Sequence, residues 1–275
     1  MAAFNNINFT SLVTFNGATV PAAPGATELV TWDPTPAGAV DGQYYQMSGT
    51  STVYRYDADI GILVRPEIYD FAGTKTLDKT IVGTEDGAAL TSDGWTVEGA
   101  SDITSDGTWT TFESSAPPSN RAGATLSVGS TANGMYFAGF LSHSAGPGAN
   151  YYLGNSVTAE NGNFSYVFST KRETTSNYPG FVKLSEPYSN IRLEVADDSD
   201  LSTAGGKWVE IYVVSGSTTD EQAFAWVGHS ESPIAFAGIL YTTSNTGWNV
   251  GTPSWGVDYH NGAIAVKNCY FARLV

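Results

Sequence analysis

Cysteine occurs once in the 275 residues, at Cys269. A single thiol excludes an intramolecular disulfide framework and a multi-cysteine zinc site. Basic residues are also scarce, because 12 Lys and Arg stand against 27 Asp and Glu, a formal net charge of −15. A chain this acidic is repelled by phosphate backbones unless its basic residues cluster, and here they are scattered. We therefore expect no nucleic-acid partner.

Long apolar runs are missing as well. No segment approaches the ~18 to 20 apolar residues of a membrane span, so we expect no membrane insertion. The first six residues lack the basic and apolar stretches of a secretory signal peptide, which predicts synthesis in the cytoplasm without export. The sequence also lacks the glycine-rich phosphate-binding motifs and His-Glu-x-x-His, which disfavours nucleotide and zincin chemistry.

Glycine, proline and aromatic residues are plentiful, with 30 Gly, 12 Pro and 13% aromatics. This composition is typical of an all-β protein with many turns. Segments with two-residue alternation, separated by glycine-rich turns, predict strands. The clearest are 51–56, 134–141, 163–170, 191–196, 207–214, 234–242 and 263–274. We expect no helix longer than about three turns, and hence a β-sandwich or barrel.

A polar, glycine-containing stretch at 82–92 divides the chain into two parts. Upstream, the Pro- and Gly-rich segments 20–25 and 33–38 favour loops or extended arms over core strands. We therefore predict an irregular N-terminal β module at 1–85, which serves attachment or oligomerisation, and a β-sandwich at 86–275. Whether the first part is a separate domain or adds strands to the sandwich is left open.

Two glutamates are candidate catalytic residues. Glu194 and Glu210 lie in strand-like segments, and alternation places both on the face opposite the apolar side chains. If these strands pair, the two carboxylates share a face at a spacing that glycosidases use. With Arg192 beside them, they are also explained as a solvated ionic ladder on an outer face, so catalysis is the second interpretation.

The segment 243–262 is predicted to be a long loop rich in aromatic, Gly, Asn and Asp residues. Flat rings combined with adaptable hydrogen-bonding groups are typical of ligand recognition, and sugar rings stack on such faces. The candidate ligand-binding residues are Trp248, Asn249, Trp255, Asp258, Tyr259 and His260. Burial at the end of the sandwich or in an oligomer interface is the alternative. The doublet Tyr151-Tyr152 is a further candidate for the same end of the molecule.

Acidic pairs invite a calcium interpretation, because that ion takes six to eight oxygen ligands. The groups are Asp57 with Asp59, Asp102 with Asp106, and the segment 197–200. None matches the spaced calcium loop with a distal glutamate. We therefore expect no cofactor, with calcium as a minor alternative.

From residue 93 onward the sequence predicts a series of strands. It opens with a Gly-Trp-Thr-Val strand and an aromatic strand at 135–140, continues with strands at 190–195, 207–214 and 238–241, and closes with a strand at 263–274. This order resembles the concanavalin A-like lectin and glucanase jelly roll over residues 90–275. The resemblance implies two packed antiparallel sheets and a lectin-like domain. Glycosidases of that family carry a Glu-x-Asp-x-x-Glu cluster on one strand, and this sequence has none.

The sequence also resembles tailed-phage virion proteins. The shared features are low cysteine content, strong acidity, many Gly, Ser, Thr and aromatic residues, and a Pro/Gly-rich arm. That resemblance implies a non-enzymatic structural protein on the virion surface, either a fibre or spike or a capsid decoration protein, made in the host cytoplasm. The implied partners are other virion proteins through residues 1–85, further copies of the chain in a homotrimer, and host cell-surface polysaccharide. A carbohydrate-active enzyme, a glycanase or depolymerase on the same fold, is the alternative.

Overall fold

The structure is a computed structural model. Strands of alternating polar and apolar residues make up nearly all of it. It describes residues 25–48, 52–113, 122–127, 134–144, 150–155, 166–171, 181–185, 192–197, 206–217, 220–227, 238–242, 254–259 and 263–275. Most of the Pro/Gly-rich segment at 20–25 therefore lies outside the described residues.

Within the described residues the chain forms strands β1 to β19 and two short helices. The strands are β1 Thr27–Leu29, β2 Tyr44–Met47, β3 Val53–Asp57, β4 Ile62–Val64, β5 Lys75–Ile81, β6 Thr96–Glu98, β7 Ile103–Ser105, β8 Thr110–Glu113, β9 Ala122–Ser127, β10 Gly134–Ser144, β11 Asn150–Asn155, β12 Tyr166–Lys171, β13 Phe181–Ser185, β14 Arg192–Asp197, β15 Lys207–Ser217, β16 Asp220–Val227, β17 Gly238–Thr242, β18 Ser254–Tyr259 and β19 Ala263–Leu274. The helices are α1 Pro66–Tyr69 and α2 Gly87–Ser92, and a 3-10 turn spans Ala100–Asp102. The predicted all-β class is confirmed.

The strands form three sheets. A four-stranded sheet has the order β1-β2-β3-β4, and a seven-stranded sheet has the order β14-β13-β12-β11-β18-β9-β6. An eight-stranded sheet has the order β17-β16-β15-β10-β19-β8-β7, and β5 also pairs with β19. The described pairs are antiparallel except β1 with β2. The predicted antiparallel sandwich is confirmed by the two larger sheets.

An apolar layer separates the seven- and eight-stranded sheets. Trp95 packs edge-on against Phe271 of β19 with ring centroids 5.2 Å apart, and Phe137 of β10 lies 5.1 Å from the same ring. Alternation puts Trp95 and Val97 on one face, and Val97 pairs with Ala124. That register row is apolar through all seven strands: Val97, Ala124, Val257, Leu153, Phe168, Leu184 and Leu193. This face of the seven-stranded sheet is the packed one.

The four-stranded sheet covers the second face of the eight-stranded sheet. Trp32 lies 5.2 Å from Trp208 of β15 in an edge-on arrangement and 4.5 Å from Tyr54 of β3. Phe140 of β10 packs on Trp208 at 5.0 Å. Trp208 and its neighbour Val209 are both buried. Strand β15 is therefore enclosed on both faces, and each large ring buried there stabilises the fold by about 1.5 to 3 kcal/mol.

Strand β5 links the N-terminal segment to the sandwich. It lies before residue 85, yet it pairs with β19 over Lys75 to Ile81. The guanidinium Nε of Arg273 donates to the Asp78 carboxylate at 2.7 Å across this pair. The N-terminal segment therefore adds a strand to the eight-stranded sheet. The division of the chain at residue 85 into two domains stays a prediction.

A bulge interrupts the β10–β19 pair. The register shifts between Ala138 and Phe140, opposite Asn268, whose φ of 47° is left-handed. Asparagine adopts this conformation more readily than most residues. At Gly139 a Cβ atom would lie 2.6 Å from the Cys269 Sγ atom, so only glycine fits without movement of its neighbours. The bulge therefore places a glycine directly beside the buried Cys269 thiol.

Candidate functional site

The predicted aromatic loop contains a strand. Residues 254–259 form β18, so the prediction of a continuous loop over 243–262 is wrong for Trp255, Asp258 and Tyr259. In this strand Trp255, Val257 and Tyr259 alternate with Ser254, Gly256 and Asp258, a pattern that the surrounding glycines obscured. The other candidates, Trp248, Asn249 and His260, lie outside the described residues.

The tyrosine doublet lies beside this strand. Strand β11 pairs with β18 so that Tyr151 is opposite Tyr259 and Tyr152 is opposite Asp258. The structure therefore brings the doublet beside the aromatic segment, a proximity that the sequence left undetermined. Both strands are central in the seven-stranded sheet.

Alternation splits these residues between the two faces of the sheet. Tyr259 is in register with Ala122, whose side chain is fully buried, so Trp255 and Tyr259 occupy the packed face. Asp258 and Tyr152 occupy the opposite face. The predicted ligand residues on β18 therefore do not form one surface.

The opposite face is polar along two register rows, which we call the outer rows. Outer row 1 is Glu98, Gly123, Asp258, Tyr152, Ser169, Lys183 and Glu194. Outer row 2 is Thr96, Thr125, Gly256, Gly154, Val167, Ser185 and Arg192. Thr96 and Glu98 on β6 are exposed, which identifies this face as the solvent face at that edge. Of the three described sheets, none covers it, because the four-stranded sheet lies on the eight-stranded one.

The two candidate catalytic glutamates lie in different sheets. Glu194 is on β14 at the edge of the seven-stranded sheet, whereas Glu210 is on β15, between β10 and β16. The hypothesis that their strands pair is therefore wrong. The hypothesis of a solvated ladder is wrong for Glu210, because the N-terminal sheet covers its face of β15 and the side chain is fully buried.

Glu210 instead accepts hydrogen bonds from three protein donors. Arg65 Nε donates to Glu210 Oε2 at 2.9 Å, and the Tyr54 hydroxyl donates to the same oxygen at 3.2 Å. The Tyr136 hydroxyl donates to Oε1 at 2.8 Å. Tyr54 and Arg65 belong to the N-terminal segment, and Tyr136 belongs to β10. We call these four residues the Glu210 cluster.

The electrostatics of the Glu210 cluster hold the phenols in their protonated form. Burial, followed by the Glu210 carboxylate, raises the pKa of Tyr136 well above its usual 10.0. Burial also raises the pKa of Tyr54 well above 10.0, against the opposing effect of Arg65. Burial lowers the pKa of Arg65, but the Glu210 carboxylate and nearby tyrosines outweigh it, and the net pKa is raised. The cluster joins the N-terminal sheet to the sandwich, and three protein groups already bind the Glu210 carboxylate.

One carboxylate of each acidic pair considered for calcium, Asp57 and Asp106, caps a turn. The Asp57 carboxylate accepts from the backbone of Asp59 and Ile60 through Oδ1, and its Oδ2 lies 2.8 Å from Lys75 Nζ. Asp106 Oδ1 accepts two backbone N–H groups, each at 2.8 Å. Within the described residues no group of three or more His, Cys, Asp or Glu side chains could hold a metal ion. Residues 198–200 lie outside the described residues.

An open groove of about 710 Å³ lies between α2, the 3-10 turn and β7. Hydroxyl-bearing residues line it, among them Thr84, Ser101 and Thr104. Asp86 at its rim caps α2, since its Oδ1 accepts from Ala89 N at 2.8 Å. The described lining includes no aromatic ring, so the groove offers no stacking surface for a sugar.

The sequence matches no protein-family model and no curated protein. Among solved structures, an alginate lyase from Chlorella virus is similar, with 13% identity, coverage of 72% of this chain and 100% of that one, and a TM-score of 0.42. A legume lectin-like domain from Entamoeba histolytica has 7% identity, covers 72% and 97%, and has a TM-score of 0.43. The CBM2 module of a Lactobacillus casei phage J-1 evolved Dit has 11% identity, covers 66% and 76%, and has a TM-score of 0.35. These likenesses concern the fold alone.

In the part of the chain that the structure describes, neither helix is long and apolar enough to cross a membrane.

Proposed function

We propose that this protein is a non-enzymatic structural protein of a phage virion that binds host-surface carbohydrate through the outer face of its seven-stranded sheet. One observation carries the proposal: the register of β11 and β18 places Tyr152 opposite Asp258 at the centre of outer row 1. A tyrosine supplies a ring on which a sugar stacks, and carboxylate and hydroxyl groups bind sugar hydroxyls. Outer row 1 carries these residue types on neighbouring strands.

The layered architecture supports display on a particle. The N-terminal sheet lies on one side of the molecule, where the Glu210 cluster holds it rigidly against the sandwich. The outer rows lie on the other side. Attachment through residues 1–85 therefore leaves the polar sheet face free to meet a ligand. Several copies, in a homotrimer and around the particle, multiply weak individual contacts into stable adsorption.

The alternative function is a glycanase or depolymerase, and the register limits which residues serve it. Glu194 and Asp258 share outer row 1 but lie four strands apart, about 19 Å at ~4.8 Å per strand. That separation is too large for either glycosidase mechanism, which needs at most about 9.5 Å. Asp258 and Glu98 lie two strands apart, about 10 Å at the backbone, close to the inverting spacing. An enzyme on this face would therefore use Asp258 with Glu98.

The deciding experiment incubates the purified protein with labelled surface polysaccharides from candidate host bacteria. Binding and reducing-end release are read in the same wells. Binding without release supports the proposal, and release that is lost in Glu98→Gln supports the enzyme instead. Tyr152→Ala should abolish binding, whereas the matched control Tyr44→Ala, which removes an exposed tyrosine of the N-terminal sheet, should preserve it. Absence of both signals for all polysaccharides would overturn the carbohydrate-binding role.

A further inference from the structure

Two glycines face each other at the centre of the seven-stranded sheet. Gly154 of β11 is the register partner of Gly256 of β18, between Thr125 and Val167 in outer row 2. Glycine is depleted in strands because it loses the most conformational entropy and has no side chain to pack. Glycine inside a strand often marks a place where a ligand or another backbone approaches closely. A cross-strand pair of glycines leaves two adjacent positions of this face without side chains.

Polar residues bound this bare area along the strands. Tyr152 and Asp258, which pair with each other, lie two residues away from the glycines on the same face. Ser254, paired with Ser127 of β9, lies two residues away in the other direction. Two residues along a strand span about 6.6 to 6.8 Å. The bare area is therefore a floor with the Tyr152–Asp258 pair at one end and Ser254 at the other end of its β18 side.

The charges around the floor disfavour an acidic ligand. Asp258 is the charged residue beside the floor, and the two outer rows carry three acidic residues, Glu98, Asp258 and Glu194, against Lys183 and Arg192. The whole chain has a net charge of −15. A polymer of uronic acids would be repelled by this field, whereas a neutral sugar would not.

We infer that Gly154 and Gly256 form the floor of a subsite for one ring of a neutral glycan, with Tyr152 and Asp258 beside it. This inference rests on the proposed function and deepens it, because it names the subsite and the ligand class. The two glycines are specificity-determining residues, since they admit a sugar ring where any side chain would exclude it.

The test replaces the floor with branched side chains. Gly256→Val and Gly154→Val fill the floor, and valine has the higher strand propensity, so the fold should keep its stability. Thr96→Val is the matched control, because it places the same side chain in outer row 2 on the edge strand β6, two strands away from Gly256. The probes are a panel of neutral gluco-, manno- and galacto-oligosaccharides and their uronic-acid counterparts. Thermal unfolding verifies that each variant is folded, and Gly154→Ala and Gly256→Ala replace any valine variant that is not.

We expect the wild type and Thr96→Val to bind a neutral oligosaccharide with equal affinity, and Gly256→Val to lose affinity by at least about tenfold. Equal binding by wild type and Gly256→Val would overturn the inference while the proposed function stands. Preference for the uronic-acid probes would overturn the neutral ligand class. If the wild type binds neither the probes nor host polysaccharide, the proposed function itself fails.

Discussion

Glu210 and Arg65 are 145 residues apart in sequence and form an ion pair of 2.9 Å, with side chains 0% and 8% exposed. Removal of two charges from water costs several kcal/mol per ion, which close geometry and further hydrogen bonds must offset. Here the hydroxyls of Tyr54 and Tyr136 supply those hydrogen bonds. The N-terminal sheet and the sandwich therefore meet at a fully satisfied charged cluster within a mainly aromatic interface.

Glu210→Ala should lower the free energy of unfolding by about 3 to 5 kcal/mol, because it leaves the Arg65 guanidinium buried without its carboxylate. Urea unfolding of wild type and variant measures the difference. Glu98→Ala, at an exposed carboxylate on β6, is the control and should change stability little. If Glu210→Ala lowers the free energy of unfolding no more than Glu98→Ala does, Glu210 does not stabilise the contact between the N-terminal sheet and the sandwich.

The double variant Arg65→Met with Glu210→Leu, made in a Tyr54→Phe and Tyr136→Phe background so that no buried hydroxyl loses its acceptor, should recover most of the stability lost in Glu210→Ala. Apolar side chains of similar volume replace buried ion pairs with little loss, whereas removal of one partner is strongly destabilising. The measurement is a double-mutant cycle by urea unfolding. Additive losses from the two positions would show that they do not act as a pair.

Stability should fall at alkaline pH because of the buried tyrosines. The pKa values of Tyr54 and Tyr136 are raised well above 10.0, and burial raises those of Tyr212 and Tyr270 to about 12. A raised pKa means that the folded state binds the proton more tightly, so this stabilisation is complete below the unfolded pKa near 10 and is lost as pH rises through the folded values. Urea unfolding at about pH 8 and pH 11, with tyrosinate absorbance recorded in parallel, checks the direction. Ionisation of every tyrosine near pH 10 in the folded protein would contradict it.

The Cys269 thiol should be inert in the folded protein. Burial raises its pKa well above 9.0, and the thiolate is the reactive form. Ellman's reagent should therefore react slowly in buffer and rapidly in denaturant. Ser92→Cys, at an exposed position of α2, provides a second thiol that should react at once in the folded state. Rapid modification of Cys269 in native wild type would place the thiol at the surface.

Gly139→Ala should destabilise the protein by about 1 to 3 kcal/mol, the usual effect of overpacking in a core. The added methyl would lie 2.6 Å from Cys269 Sγ. Cys269→Ala removes that sulfur, so the two changes together should destabilise less than the sum of their separate effects. Thermal unfolding of the four proteins measures this coupling, and strict additivity would mean that the bulge adjusts without the sulfur.

Particular elements show how far the sequence predicts the structure. The segments 134–141, 207–214 and 263–274 are predicted correctly as strands because their alternation is long and no glycine-rich turn interrupts it. Strand β18 was missed because Gly251 and Gly256 made its surroundings look like a loop, although Ser254 to Tyr259 alternates. The Gly154–Gly256 floor was missed as well, since each glycine alone is unremarkable and only strand pairing brings them together.

Local alternation determined by itself that this chain forms strands with one apolar and one polar face, because the side-chain period of a strand is a property of the backbone. Composition likewise determined the absence of a disulfide framework and the strong negative charge. The tertiary structure alone decided which sheet each strand joins and what lies over it. Alternation put Glu194 and Glu210 on the same kind of face, yet Glu194 is in outer row 1 and Glu210 lies beneath the N-terminal sheet. Pairing and layering depend on contacts between residues far apart in sequence, and a local pattern carries no information about them.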